Sequence, residues 1–204
     1  MTNSTYTHLT LVVDRSGSME ALKDEAQSGI TAMLADQFAQ PGRLTVNLVE
    51  FDDRIDVVAR MADAAFAYAL EPRGMTRLLD AVGQEIHQTG ADLAALSEAE
   101  RPARVVFAVV TDGEENSSHE FSIAQVRTLV ERQRTQFSWQ FQFLGAGESA
   151  WQGADLGMRT SRTVNSKRGE QRKYAVLNDA LNDYRNADLA MAAMAMPDVI
   201  DDAV

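Results

Sequence analysis

The chain has 204 residues, enough for one domain with a sizeable core and too few for two full ones. It holds no cysteine, which excludes disulfide frameworks, zinc-thiolate sites, iron–sulfur clusters and cysteine nucleophiles. With 19 Lys and Arg against 30 Asp and Glu the formal net charge is −11, so a phosphate backbone would meet the wrong sign over most of the surface and nucleic acid is not an expected partner.

In chain order, residues 8–14 read as a first strand. A helix follows from about Met19, with Met19, Leu22, Ala26, Ile30, Met33 and Leu34 near helical spacing, and ends before Pro41-Gly42. Residues 44–51 and 55–61 read as strands joined by Asp52-Asp53-Arg54, a connection short enough only for an antiparallel hairpin, expected toward one edge of the sheet. After a loop containing Pro72-Arg73-Gly74-Met75-Thr76, a helix is expected over 77–99, and then a nearly continuous apolar strand over 104–111, buried on both faces. Ser122 opens the next helix: its hydroxyl can cap, Gln125 completes a capping box, and Phe121 and Val126 are spaced as a hydrophobic staple. Residues 137–144 alternate Phe137, Trp139, Phe141 and Phe143 with Ser138, Gln140 and Gln142, which predicts an off-centre strand with one apolar face and one less fully covered. A short helix near 150–156, a brief strand near 162–164 and a last helix with Tyr174, Leu177, Leu181 and Tyr184 on one face complete the pattern.

This alternation predicts an α/β, Rossmann-like domain: a central, mainly parallel six-stranded sheet with one antiparallel strand toward an edge and helices on both faces. Residues 1–190 are read as that single domain, and 191–204, rich in Ala and Met and then acidic, as a tail that frays. The first ten residues lack the basic and apolar regions of a secretory signal, and no stretch of about 18 apolar residues offers a membrane span. The expectation is a cytoplasmic protein that touches no membrane.

The most informative segment is Leu11-Val12-Val13-Asp14-Arg15-Ser16-Gly17-Ser18-Met19. Asp14 ends a strand, and the turn that follows can point the hydroxyls of Ser16 and Ser18 back toward one place, a set of oxygens suited to a hard divalent cation. Three oxygens do not fill an octahedron. The strand over 104–111 leads to Asp112 followed by Gly113, and if both strands are parallel their carboxyl ends share one edge, where open α/β sheets bind ligands. Thr76, reached by a glycine-containing loop before a helix, is the fifth contributor. Singly, Ser18 and Thr76 could be helix caps, Asp112 a turn former and Asp14 a strand end; together they form an ordered set.

Asp14, Ser16, Ser18, Thr76 and Asp112 resemble the metal-ion-dependent adhesion site of the von Willebrand factor type A domain: Asp-x-Ser-x-Ser, a threonine in a later loop, and the aspartate of Thr111-Asp112-Gly113. The resemblance spans about residue 8 to at least 184, and the wording Arg73-Gly74-Met75-Thr76 and Thr111-Asp112-Gly113-Glu114-Glu115-Asn116 resembles bacterial or phage intracellular members. It implies bound magnesium or manganese, with calcium ranked after them, and no enzymatic activity. It also implies a protein partner that offers an Asp or Glu to the metal, such as an AAA+ ATPase or a component of a stress or assembly system. Physically, a shell of mostly neutral hydroxyls and water leaves the ion much of its charge, which favours an incoming carboxylate.

Two readings compete. One is a metal-dependent hydrolase of phosphate esters; the other is a scaffold whose tail, with Met191 to Met196, binds the partner. Enzyme patterns are fragmentary. There is no phosphate-binding Gly-x-x-x-x-Gly-Lys loop, Gly145-Ala146-Gly147 is only part of a dinucleotide fingerprint, and Ser16 lacks the flanking glycines of a nucleophile elbow. Glu114 and Glu115 read as solvated turn acids, Asp80 as a first-turn helix acid, and His8 as a surface or strand-end histidine. Arg15 either guides an acidic ligand or faces solvent. The basic run Arg159, Arg162, Lys167, Arg168, Arg172 and Lys173 reads as a solvated helix face and its approach loop.

Overall fold

Leu9, Leu11 and Val13 are buried on one side of the first strand and Val12 on the other, so that strand is covered on both faces. The computed structural model describes residues 2–163, 166–188 and 199–201. The strand, β1 (Asn3–Asp14), begins earlier than its apolar run because polar Asn3 to Thr7 continue the ladder. It lies between β2 (Arg43–Phe51) and β4 (Pro102–Val110), parallel to both. β3 (Ile55–Ala62) pairs antiparallel with β2 at the edge. On the other side β5 (Gln140–Ala146) and β6 (Arg159–Thr163) continue in parallel. The order β3-β2-β1-β4-β5-β6 holds the six expected strands, and β7 (Val199–Asp201) adds a seventh beside β6. The rest of 191–204, including Met191 to Met196, lies outside the described residues.

Helices α1 (Lys23–Ala39) and α5 (Lys167–Asn186) cover one face with Ile30, Leu34, Leu177 and Leu181, packed on Leu9, Leu11, Val106 and Val110. Helices α2 (Leu78–Ala94) and α3 (Ile123–Phe137) cover the other with Val82, Ile86, Val126 and Val130 against Val12, Phe107 and Phe141. The chain steps outward from β1 to β2 and β3, then returns through α2 to β4 on the far side. Strand order therefore reverses between β1 and β4, which opens a crevice at their carboxyl ends.

Several local expectations are met: Ser122 and Gln125 form the reciprocal capping box, and Phe121 packs with Val126 in one cluster. Others are corrected. The helix after Thr76 ends at Ala94, followed by a single 3-10 turn at Glu98–Glu100. Phe137 does not join the strand; it ends α3, 56% exposed, because Ser138 turns left-handed at the helix terminus (φ 57°). Gln142, expected on a less covered face, is buried, since α5 packs over that face, where Leu144 joins Tyr174 and Leu177.

His8 is not at the surface. It is fully buried under α2, with Nδ1 2.8 Å from Thr45 Oγ1 and Nε2 3.2 Å from Thr10 Oγ1. Burial holds its pKa down at about 4, so it stays neutral. Lys173 also departs from the solvated-face reading: it is fully buried, 2.7 Å from Glu170. Lys167, Arg168 and Arg172 are exposed, Arg159 is half-buried, and the Arg162 side chain lies outside the described residues.

Because Leu11 is packed between sheet and helices, Leu11→Ala is expected to cost about 2–5 kcal/mol, whereas Ser122→Ala at the exposed cap costs only about 1 kcal/mol. Urea unfolding of the two variants measures the ratio.

Candidate functional site

β1 ends at Asp14, and one residue separates the end of β4 from Asp112. Asp14 is fully buried, with Oδ1 accepting from the Ser16 amide at 2.7 Å and Oδ2 from the Thr111 hydroxyl at 2.5 Å. The Ser16 and Ser18 hydroxyls are 3.0 Å apart, and Ser18 donates to Asp112 Oδ1 at 2.7 Å. These contacts join the first motif to the fourth strand across 94 positions of sequence.

Gly113 locates the centre. A Cβ built on it would lie 3.3 Å from Thr76 Oγ1, 3.4 Å from Ser18 Oγ and 3.5 Å from Asp14 Oδ2. Oxygens from three separate segments thus surround one point, and a side chain there would fill it. All five residues singled out from the sequence meet at this crevice. Asp14, Ser16 and Thr76 form its buried floor, while Ser18 is exposed and Asp112 half-buried at its mouth.

The loop carrying Thr76 is pinned from both sides. Gly17 N donates to Gly74 O at 3.3 Å, Arg73 N to Arg15 O at 2.8 Å and Arg77 N to Asp52 O at 3.2 Å. Gly74 has φ +70°, and a Cβ there would meet Asp53 Oδ2 at 2.6 Å, so the close turn needs glycine. From the other side, Asn116 Oδ1 accepts from Thr76 N at 2.9 Å while Asn116 N donates to Thr76 O at 3.1 Å.

Arg15 neither faces solvent nor reaches for a ligand. Its guanidinium is buried and donates to Asp52 and Glu50, each at 2.9 Å, and to Asp56. Arg73 adds a 2.7 Å bond to Asp52. Burial works against ionised Asp52, yet the bonds from Arg73, the Arg54 backbone and Arg15 hold it below the ordinary carboxylate range. Glu50, Asp52 and Asp56 of the β2–β3 hairpin are thus consumed in a clamp that ties the motif turn to the Thr76 loop.

Two nearby acids, Glu115 in the loop after Asp112 and Asp80 in α2, are equally committed, while Glu114 stays exposed. Glu115 accepts from the backbones of Leu79, Ser117 and Ser118 and from the Ser118 hydroxyl. Asp80, buried in the first turn of α2, accepts from the amides of His119, Glu120 and Phe121 and pairs with Arg77 at 2.6 Å. Lys173 donates to Thr111 O at 3.2 Å from beneath. Sequence reasoning missed Thr111, Asn116 and Lys173. Thr111 and Asn116 stand inside a quoted motif yet carry no chemistry by residue type alone, and Lys173 is hidden among surface bases.

At the crevice itself Asp14 and Asp112 have no arginine among their hydrogen-bond partners. Burial pushes Asp14 up to about 6, against hydrogen bonds from Thr111 and Ser16. Burial also raises Asp112, opposed by the Ser18 bond and the positive Lys173. Among the described residues no three His, Asp or Glu side chains cluster as ligands; the donor set is two carboxylates and three hydroxyls. That set fits a hard, oxygen-preferring divalent ion, and the raised pKa of Asp14 is the signature of an anion short of a counter-charge.

No family model and no curated protein matches the chain. Solved structures do match in fold. One is proximal thread matrix protein 1 from the mussel byssus with a zinc-occupied MIDAS motif (TM-score 0.60, 14% identity, 85% of this chain and 45% of that one). Another is a von Willebrand factor type A protein from Catenulispora acidiphila (0.57, 15%, 94% and 43%). A third is the manganese-loaded TRAP protein of Plasmodium vivax (0.51, 16%, 76% and 64%). The chain spans less than half the length of the first two. The fold is that of a von Willebrand factor type A domain, an α/β sheet with one antiparallel strand and helices on both faces.

The Asp14 shift has a definite sign. With a chelator present, ionising the buried carboxyl costs stability, so its contribution is full below the unfolded value of 3.8 and is lost as pH rises through about 6. Native protein is expected to lose roughly 2.4 kcal/mol relative to Asp14→Asn between about pH 4 and pH 7. Parallel thermal unfolding in chelator checks this, and a constant difference between the two proteins contradicts it.

Proposed function

We propose that this chain is a metal-dependent protein-interaction module in which Asp14, Ser16, Ser18, Thr76 and Asp112 hold a divalent cation and an acidic side chain of a partner completes its shell. The reading is carried by one observation: oxygens of Asp14, Ser18 and Thr76 surround a single point beside Gly113, with Ser18 linking it to Asp112. The proposed ion is magnesium or manganese, since both accept an all-oxygen shell that includes water. Zinc in the mussel protein and manganese in the Plasmodium protein belong to those molecules and lend support only through the shared fold.

With the three neutral hydroxyls as direct ligands and the two aspartates acting through water, the bound ion keeps much of its positive charge. A partner's Asp or Glu brings both the missing oxygen and the missing negative charge, whereas a neutral ligand brings only the first. No chemical step is proposed. The Ser16 and Ser18 hydroxyls are engaged with each other and with Asp112, and among the described residues neither bonds to a histidine that could act as base. The partner proposed from the motif resemblance is an AAA+ ATPase or a stress or assembly component, met in the cytoplasm. The net charge of −11 disfavours nucleic acid, and no described helix is long and apolar enough to cross a membrane.

Titration calorimetry with magnesium and manganese tests the metal. The native protein is expected to bind one ion, with affinity reduced at least tenfold in Asp14→Ala, in line with loss of a buried charged ligand. Absence of binding by native protein, or undiminished binding by the variant, overturns the reading. A pull-down with and without chelator then tests whether partner capture needs the ion.

A further inference from the structure

Beside the metal crevice lies a second feature that the cation does not explain. Between α2, α3 and α4 (Trp151–Asp155) is a pocket of about 260 Å³ with an apolar floor of Leu78, Leu79 and Leu156. Ile123 and Trp151 stand at it 44% and 51% exposed, large apolar side chains left in water where most of their kind are buried. Exposed Glu114 and Asp155 also line it. Its volume is below the roughly 300–1,000 Å³ of small-molecule sites and suits a single side chain.

The pocket adjoins the loop that follows Asp112. Gln152, which lines it, donates to Gly113 O at 3.1 Å and accepts from Glu115 N at 2.8 Å. Those are the backbone atoms of the loop that follows Asp112. One side of this loop therefore faces the converging oxygens and the other faces the pocket.

We infer that the pocket is a specificity subsite for the same partner: a segment that presents its acid to the ion seats an aromatic or large aliphatic side chain against Trp151 and Ile123, with a basic residue beside it facing Glu114 and Asp155. This rests on the proposed metal reading. Charge decides the chemistry of the occupant. On a chain of net charge −11 an all-acidic segment is repelled everywhere except at the cation, so the residues flanking the acid must be neutral or basic. An apolar side chain entering a pocket walled by a tryptophan is the kind of anchor that dominates interface energy. Gln152 carries the two halves on one helix turn, which fixes the distance between acid and anchor.

Labelled peptides of the form acetyl-Asp-Gly(n)-Phe-Lys-amide and the reverse order, with zero to three glycines, provide the test against counterparts with Ala in place of Phe. Binding is followed by anisotropy in magnesium or manganese, and independently through fluorescence of Trp151, since the other tryptophan, Trp139, is buried. At least one spacing is expected to bind about tenfold or more tighter with Phe than with Ala, from the area of a ring removed from water. That advantage disappears in Trp151→Ala and Ile123→Ser, both exposed positions whose change leaves calorimetric metal affinity intact. If metal binds but no spacing shows a Phe advantage, or the advantage survives both variants, the subsite is overturned and the metal reading stands. If native protein binds no metal, the metal reading falls first and the subsite with it.

Discussion

Asp14 is a carboxylate stripped of water at the end of a strand that has parallel neighbours on both sides, and everything around it follows from the need to answer that charge. A buried anion must be hydrogen-bonded, protonated or paired with a cation. The chain supplies the first through Thr111 and the Ser16 amide, and these bonds are not enough: the carboxyl still sits at about 6. Arginines that could have neutralised it are held elsewhere, Arg15 on the acids of the β2–β3 hairpin and Arg77 on Asp80. The fold thus keeps these arginines away from the crevice while arming three loops with oxygen.

Rigidity comes from charges that are satisfied internally. Asp80 and Glu115 each gather several amide donors from the loop after Asp112, and the Arg15 clamp binds the motif turn to the hairpin and to the Thr76 loop. Such networks are costly when broken and hold geometry when complete. Their effect is preorganisation: the oxygens on three loops are held by the protein's own hydrogen bonds, so an arriving ion need not order them. A partner would then meet a ready-made electropositive point on an otherwise acidic surface.

Strand and helix order were legible because period-2 and period-3.6 patterns survive wherever a face is buried, as at Leu9, Leu11 and Val13 or at Leu177 and Leu181. The capping box at Ser122 was legible because its partners are three residues apart. The five crevice residues were legible because Asp14 and Asp112 end predicted parallel strands. Legibility failed where the environment is made by distant chain. His8 and Gln142 look like surface residues by type, yet neighbouring elements bury them. Lys173 lies in a basic run, and only the fold pairs it with Glu170 and Thr111 O. Both roles that the sequence offers Arg15, guiding an acidic ligand or facing solvent, fail, because its three carboxylate partners belong to β2, β3 and the turn between them and only the hairpin's geometry brings them to it.

The central claim is that a cation at this crevice keeps a coordination position for an external carboxylate. Electron–nuclear double resonance on manganese-loaded protein with carboxyl-¹³C acetate reads that position directly. The account predicts a ¹³C coupling characteristic of a carboxylate bound to the metal, lost together with the bound manganese in Asp14→Ala. Manganese held at the site with no ¹³C coupling at saturating acetate would contradict it.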